Sequence, residues 1–344
     1  MTVKEIAKIC GVSPSTVSNA INGRPNISEE TRKRILECVR EKGYQPDCFV
    51  SDGSKQNSKI IGIIAEDLGQ FSTTPILEAV MGCCEEYGYK SVVMNMRMYD
   101  KWSDTWYYDD QKIQRIISPM LSEMESIHAM GMIYIAGHGR IIHCIPKDFR
   151  TPTVIAYGWS ENNRFPAIVP DDRKGGYDMM KHLLGHGHRQ IGIIAGTPDN
   201  MHSQERLYGC QKALFEERIP YNPEWTYYGD WERKSGYQGA KELFRKGIKA
   251  MLCMNDQMAG GVYDFAQENH LVVGKDISVV GYDNRLVSDY LTPSLTTCEL
   301  PLREIGYRAA NTLINGMIGK ERQESHEPVK LPCKFICRDS VQRL

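Results

Sequence analysis

The feature that most constrains the fold is a five-residue apolar run that occurs twice. Residues 61–65 and residues 191–195 both read Ile-Gly-Ile-Ile-Ala. Short, continuous, β-branched runs of this kind are typical of strands buried on both faces of a parallel sheet. Each run is followed by a loop and then by a helix-like segment, at 75–87 and at 201–217. The duplication therefore predicts two similar α/β lobes in one chain.

Further apolar runs continue the alternation of strand and helix. The additional strand candidates are 91–94, 130–136, 153–157, 249–254 and 277–282. Strand, helix and strand in this order predict right-handed crossovers and doubly wound parallel sheets. A chain of 344 residues has room for two or three domains. We expect a cleft between the two lobes, which is a usual place for a small ligand.

Residues 1–46 differ from the rest because they are helical by pattern. Ala7, Gly11 and Val17 have the spacing of a helix-turn-helix, in which a small residue, a turn glycine and a branched anchor recur. Ser13 is placed to cap the second helix, and Ser28 to cap a third. The pattern predicts a small all-α head.

The second helix of this head exposes short polar side chains. Such groups can hydrogen-bond phosphates and base edges in a major groove. The candidates for DNA contact are Ser15, Thr16, Ser18, Asn19 and Asn22. The alternative is a helical domain with a purely structural role.

These motifs resemble the lac-repressor (LacI/GalR) family of bacterial transcription regulators. The resemblance is carried by residues 2–7, 11–23, 27–32 and 43–46, a long and specific match. It implies that the second helix enters the major groove and that the protein acts as a homodimer on palindromic operator DNA.

The net charge of the whole chain, −1, at first argues against DNA binding, because nucleic-acid-binding proteins usually have a basic surface. Resolved by segment, residues 1–46 contain eight basic and five acidic residues, a net charge of +3, and the remainder carries −4. A modestly basic head joined to a slightly acidic body is compatible with DNA binding.

The resemblance extends over the body, through residues 175–177, 183–192, 206–209, 255–259 and 277–284. It implies a core similar to periplasmic sugar-binding proteins, with two lobes that the chain crosses three times. We expect a head at 1–46 and a hinge at 47–59. The predicted first lobe comprises 60–158 with 291–322, and the second comprises 159–290 with 323–344.

Ligand-binding candidates follow from strand ends, where side chains face the crevice of an open α/β sheet. Asp256 and Asp283 each follow an apolar strand, and their carboxylates can accept hydrogen bonds from sugar hydroxyls. Arg206 can donate several in a fixed fork, and Trp231 offers an apolar face for a ring.

By position, the resemblance implies four effector contacts: Arg206, Trp231, Asn255 and Asp283. Glu66 and Asp67, after the first strand, are further candidates from the other lobe. Structural alternatives remain open: Asp256 as a helix cap, Trp231 as a loop anchor, and Arg206 as the partner of a carboxylate.

Other chemistry finds little support in the sequence. His182, His186 and His188 cluster, but their spacing does not suit a metal site, and the eleven cysteines include no C-x-x-C pair. No catalytic constellation stands out, so we expect no enzyme, metal or cofactor. The aromatic and acidic stretch 95–110 is either a surface excursion or a functional lid. No signal-peptide core or eighteen-residue apolar run occurs, which predicts a cytoplasmic protein.

Together these features predict a ligand-responsive, sequence-specific DNA-binding transcription regulator, best read as a repressor. Its effector would be a sugar or glycoside bound between the lobes. The competing interpretations are a cytoplasmic solute-binding protein and an α/β enzyme.

The hinge departs from the family pattern, which continues with Asn-Ala-x-Ala-Arg-x-Leu and wedges its leucine into the minor groove. Here residues 47–53 read Asp-Cys-Phe-Val-Ser-Asp-Gly, so Ser51 replaces the arginine and Gly53 the leucine. A glycine has no side chain with which to unstack a base step. Asp47 and Asp52 would repel phosphates. We hypothesise that the protein kinks its operator less, or uses Phe49 or Val50 instead.

Replacing the glycine tests this hypothesis directly. Gly53→Leu should change both operator affinity and DNA bend, because it restores an apolar wedge. Circular-permutation gel shifts measure both quantities. An unchanged affinity and bend would show that the hinge hypothesis is wrong.

Overall fold

A computed structural model describes residues 3–21, 27–41, 59–102, 106–319 and 327–344. The chain divides into two compact units, 1–58 and 59–344, which are treated separately below. Three predicted features lie outside the described residues: Asn22, residues 47–58 of the hinge, and residues 103–105 of the aromatic stretch.

The head contains three helices, α1 Val3–Cys10, α2 Pro14–Ile21 and α3 Glu29–Glu41. Gly11 ends the first of them with φ of +61°, a conformation that costs glycine little. The Ser13 hydroxyl accepts a hydrogen bond from the Thr16 amide at 3.1 Å, which confirms the predicted cap of α2. The three helices enclose a small core of Ile6, Ala7, Cys10, Val17, Ala20 and Ile35.

The body alternates strands and helices along nearly its whole length. Its elements in chain order are β1 Ile60–Ala65, α4 Thr73–Glu86, β2 Lys90–Asn95, α5 Met98–Trp102, α6 Asp110–Ser126, β3 Gly131–Ile135, β4 Ile141–Ile142, β5 Thr153–Ala156, β6 Trp159–Ser160, β7 Ala167–Pro170, α7 Asp172–Gly185, β8 Ile191–Ala195, α8 Met201–Glu216, β9 Thr226–Tyr228, α9 Arg233–Arg245, β10 Ala250–Cys253, α10 Asp256–Glu268, β11 Ser278–Val280, α11 Val287–Tyr290, β12 Thr297–Glu299, α12 Leu302–Met317, β13 Val329–Leu331 and β14 Lys334–Ile336. Short 3₁₀ turns lie at Trp106–Tyr108, Glu161–Asn163 and Pro223–Trp225.

Two parallel sheets organise these elements. The first has six strands in the order β13-β7-β5-β3-β1-β2, and the second has four in the order β11-β10-β8-β9. The two Ile-Gly-Ile-Ile-Ala runs are an inner strand of each sheet, β1 in the first and β8 in the second, and both are buried. The predicted pair of doubly wound lobes is therefore confirmed.

Helices cover the sheets as antiparallel or crossing neighbours. α12 packs on α4 and on strands of the first sheet, whereas α7 packs on α8 and α9 on α10 in the second lobe. Apolar side chains from both sheets and these helices form one continuous core. A second apolar cluster, built around Trp106, lies on the outer side of the first sheet.

The lobe boundaries differ from the predicted ones. β7 pairs with β5, and β13 pairs with β7, so residues 167–170 and 329–331 belong to the first sheet. Thr296 and Glu299 instead form bridges with Val280, the last residue of β11 in the second sheet, and with Asp283. The crossings therefore fall near residues 171, 301 and 332. They do not fall at 158, 290 and 322, because the short strands β7 and β13 complete one side of the first sheet from distant parts of the chain.

Within the described part of the chain, no helix is long and apolar enough to cross a membrane.

Helix α7 offers a matched test of the close packing in the second lobe. A Cβ at Gly176 would collide with the backbone carbonyl of Arg206 in α8, whereas one at Gly185 in the same helix meets no neighbouring atom within 4 Å. We expect Gly176→Ala to lower the free energy of unfolding by about 1–3 kcal/mol, because backbone cannot give way easily.

Gly185→Ala is the control and should be neutral or mildly stabilising, by up to about 1 kcal/mol. Urea unfolding of the body measures both values. Equal effects of the two substitutions would contradict the proposed contact.

Candidate functional site

A cavity of about 210 Å³ lies between the two lobes. Every segment that lines it follows the carboxyl end of a strand, as expected for an open α/β sheet. The first lobe contributes Gln70, Phe71, Ser72, Tyr99, Tyr107, Gly137, His138, Gly139 and Tyr157. The second contributes Thr197, Asn200, His202, Arg206, Asp230, Trp231, Glu232, Asn255, Gln257, Asp283 and Arg285.

Arg206 holds several of these segments together. Its Nε donates to Asp172 Oδ1 at 2.7 Å, and its Nη1 donates to the Met254 carbonyl and lies 3.5 Å from Asp283 Oδ1. The guanidinium also stacks over the Tyr282 ring, 3.7 Å from its centroid. Arg206 therefore forms an ion pair with a carboxylate, Asp172, which was the structural alternative for this residue. It also lines the cavity.

Asp172 is a second buried charge beside the cavity. His202 Nδ1 lies 2.6 Å from its Oδ2, and neither side chain is more than 5% exposed. Burial opposes ionisation of Asp172, but Arg206 and His202 outweigh it, so the pKa of this carboxyl lies below its ordinary value. His202 Nε2 is buried without a hydrogen-bond partner, which leaves one nitrogen on the cavity wall for a ligand.

Asp283 is a buried cavity carboxylate with little protein contact. Among the described residues its side chain accepts no hydrogen bond and has only the 3.5 Å contact with Arg206. Burial raises its pKa well above the ordinary value, although Arg206 opposes that shift. Its backbone has φ of +102°, a region that side chains rarely adopt. Strain of this kind is characteristic of ligand-binding positions.

Trp231 and Asn255 are brought together by a hydrogen bond. Asn255 Nδ2 donates to the Trp231 carbonyl at 2.8 Å, while its Oδ1 accepts from the Met258 amide and caps α10. The Trp231 ring lies against Gly196, where a Cβ would collide with it, and its Nε1 is buried without a partner. The backbone of Trp231 therefore anchors its loop to Asn255, as the structural alternative proposed. Its ring forms part of the cavity wall.

Asp256 is neither a cavity carboxylate nor the cap of its helix. It is fully buried and accepts hydrogen bonds from Thr297 Oγ1 at 2.6 Å and from the Arg285 amide at 2.7 Å. Burial raises the pKa of Asp256 to about 7. The cap is the preceding residue, Asn255.

The prediction for Glu66 and Asp67 needs correction, because neither residue lines the cavity. Glu66 is fully buried and accepts hydrogen bonds from Arg140 Nη2 and the Gly137 amide, each at 2.6 Å. Asp67 accepts from the Tyr99 amide at 3.0 Å. Both carboxylates are used to position cavity loops and are not free for a ligand.

The aromatic stretch supplies wall residues that strand-end reasoning missed. Trp106 is fully buried in the second apolar cluster, while Tyr99 and Tyr107 line the cavity. Tyr107 stacks on His138 with ring centroids 3.7 Å apart. His138 lies three residues after the end of β3 and Asp172 two residues after the end of β7, so the strand-end rule could have found both. Nothing in the sequence indicates His202.

The histidines considered as metal ligands have other contacts. His188 Nε2 lies 2.9 Å from Ser278 Oγ and 3.0 Å from the Gln342 carbonyl oxygen, and His186 Nδ1 lies 2.8 Å from the His182 carbonyl oxygen. Over the described ranges, no group of three or more His, Cys, Asp or Glu side chains could hold a metal ion.

In the head, α2 contains four of the five residues predicted to contact DNA, Ser15, Thr16, Ser18 and Asn19. Ser15 is exposed, and Thr16 and Asn19 are half-buried. The Ser13 hydroxyl lies 2.7 Å from that of Ser15 and 2.8 Å from that of Thr16. Ser18 lies in the same helix.

Comparison with known proteins gives matches for both units. The profile of bacterial regulatory proteins of the lacI family matches residues 2–47, and that of the periplasmic binding protein-like domain matches residues 180–341. The HTH-type transcriptional repressor PurR of Aliivibrio salmonicida is 28% identical, with 100% of this chain and 99% of the relative covered. The ribose operon repressor of Haemophilus influenzae has the same identity and coverage. A crystal structure of the Lac repressor bound to ONPG in the repressed state superposes with a TM-score of 0.71 at 25% identity, covering 99% of each chain.

The buried carboxyl of Asp256 predicts a pH dependence of stability. It has an ordinary pKa of 3.8 when unfolded and about 7 in the fold. Between these values the unfolded chain has lost a proton that the folded chain keeps, so the stability contributed by this group falls as pH rises from about 4 to 7. Asp256→Asn does not titrate. The variant should gain stability relative to wild type by on the order of 1 kcal/mol per pH unit across that window.

Urea denaturation at a series of pH values measures this difference. Asp148→Asn, at an exposed position, is the control and should show no trend. A constant difference between Asp256→Asn and wild type from pH 4 to 8 would disprove the burial argument.

Proposed function

The chain belongs to the lacI family of bacterial regulatory proteins, and on that basis we propose that it is a repressor controlled by a sugar-sized ligand. Membership of this family makes it a DNA-binding transcription regulator with an effector domain, and not an enzyme. The family also disfavours a stand-alone solute-binding protein, since such a protein has no use for a DNA-binding head.

One observation carries the ligand proposal, the pairing of Arg206 with an otherwise unpartnered Asp283 on the cavity wall. A guanidinium donates and a carboxyl accepts, so neighbouring hydroxyls of one ring can bind both at once. The Trp231 ring beside them supplies an apolar face for the carbon skeleton. The cavity of about 210 Å³ has room for a small ligand.

The names of two relatives support the proposal that the effector is a sugar. One is the ribose operon repressor, and one superposed structure contains ONPG. The relative named PurR keeps purines in the set of compounds to be tested.

For the DNA side, we assign operator reading to Ser15, Thr16, Ser18, Asn19 and Asn22, presented by two heads of a homodimer on a palindromic site. Phosphate contacts would supply much of the affinity, so binding should fall steeply with salt. Control is by linkage: the ligand binds differently to two arrangements of the lobes and thereby shifts the population that binds DNA. The protein would act in the cytoplasm, where the DNA is.

A thermal-shift screen tests the effector assignment. Pentoses, hexoses, their glycosides and phosphates, and purines are added to the full chain, and binding should raise the melting temperature. Asp283→Asn should weaken the successful ligand by at least about tenfold, because a hydrogen bond to a charged group is worth roughly 1.5–3 kcal/mol. Asp148→Asn is the matched control and should bind as wild type does.

The same preparations are then tested on DNA. Wild type should shift a subset of genomic fragments at moderate salt, and the ligand found in the screen should change that shift. No sequence-selective shift would disprove the assignment of operator reading, and stabilisation by purines alone would disprove the sugar assignment.

A further inference from the structure

One corner of the cavity has positive character on both of its sides. On the first lobe it is formed by Phe71 and Ser72, at the beginning of α4. On the second lobe it is formed by the side chain of Arg285. The guanidinium carbon of Arg285 lies 4.8 Å from the centre of the Phe71 ring, so the two sides meet.

The first side is the N-terminus of a fourteen-residue helix with unused donors. Ser72 is the N-cap residue of α4, yet its hydroxyl makes no capping hydrogen bond. The residue is only 2% exposed and lines the cavity. The Oγ1 of Thr73, next along, is buried without a partner.

Backbone amides add to these side-chain donors. Among the described residues, the N–H groups of Phe71, Ser72 and Thr74 have no backbone acceptor, whereas that of Thr73 donates to the Gln70 carbonyl. Unsatisfied amides at a helix N-terminus carry a partial positive charge and point toward whatever lies before the helix.

The second side is the guanidinium of Arg285, which interacts electrostatically with the buried carboxyls of Asp256 and Asp283. Arg206, the other arginine of the cavity, has ion pairs with Asp172 and Asp283. Within the part of the chain that the structure describes, the side chain of Arg285 has no ion pair, and its charge lies over the face of Phe71. The remaining cavity carboxylates, Asp230 and Glu232, are exposed, so solvent screens their charge.

We propose that this corner binds an oxyanion carried by the effector, either a phosphate monoester or a carboxylate. The effector is then a sugar phosphate or a sugar acid, with its ring at Arg206 and Asp283. This inference rests on the proposed function, because it assigns the chemical class of the ligand in the same cavity.

The chemistry of the corner suits such a group. An oxyanion accepts several hydrogen bonds at once, from amides at a helix N-terminus and from an arginine fork. It would also stabilise the two positive groups that meet at this corner. A neutral hydroxyl can accept at most two of these hydrogen bonds and carries no charge to balance theirs.

Isothermal titration of the full-length protein with matched pairs of compounds tests the proposal. The pairs are ribose with ribose 5-phosphate, glucose with glucose 6-phosphate, and glucose with glucuronate, all at one ionic strength. In at least one pair the anionic compound should bind at least about tenfold more tightly than its neutral partner. The phosphate and glucuronate arms distinguish the two sources of the oxyanion.

Two variants locate the preference. Arg285→Gln should remove most of the tenfold preference for the anionic compound over its neutral partner, and Ser72→Ala should reduce that preference by a smaller factor. Arg245→Gln, at an exposed position of α9 outside the cavity, removes the same charge and should keep the full preference.

The failures are distinguishable. Neutral sugars that bind as tightly as their anionic partners overturn this inference and leave the proposed function intact. A preference that survives in Arg285→Gln also overturns it. If no sugar of either kind binds, the proposed function itself fails, and the inference fails with it.

Discussion

The arrangement of the cleft depends on one buried guanidinium. Arg206 projects from α8 and bonds Asp172 at the start of α7, the carbonyl that follows β10, and, at longer range, Asp283 after β11. Removing one partner of such a buried pair is costly, roughly 3–5 kcal/mol, because the other charge stays buried. The geometry of the ligand site and the stability of the second lobe therefore depend on the same side chain, Arg206.

This dependence explains how a small ligand could act at a distance. Arg206 and Asp283 are 3.5 Å apart, close enough to interact but longer than a hydrogen bond. A ligand that bonds both groups changes the balance of charge at the ends of two strands. Those strands pack against helices of the second lobe, which gives such a change a direct contact with the helix packing.

Much of the fold was predictable from sequence, and the reason is the duplicated strand. The run at β1 and β8 fixes two parallel sheets, since an apolar run of this kind is stable only when covered on both faces. The lobe boundaries were not predictable. β7 and β13, the last two strands at one side of the first sheet, have only four and three residues, and such short strands are recognised by their pairing and not by their composition.

The site was predicted in part, for reasons visible at single residues. The strand-end rule pointed to Asp283, and the family resemblance added Arg206, Trp231 and Asn255; all four line the cavity. The same rule failed for Glu66, because a sequence does not reveal that Arg140, 74 residues later, binds that carboxylate. The rule also failed for Asp256, because this carboxylate is buried and accepts a hydrogen bond from Thr297 Oγ1.

The three crossings of the chain have a consequence for how such a protein can be divided. The first sheet ends with β13, which the chain reaches only after completing almost all of the second lobe. No continuous fragment of the body therefore contains one complete lobe and nothing of the other. A nick between α12 and β13 would leave this edge strand joined through the chain to the second lobe alone. Exchange of one lobe between two such proteins would require three new junctions instead of one.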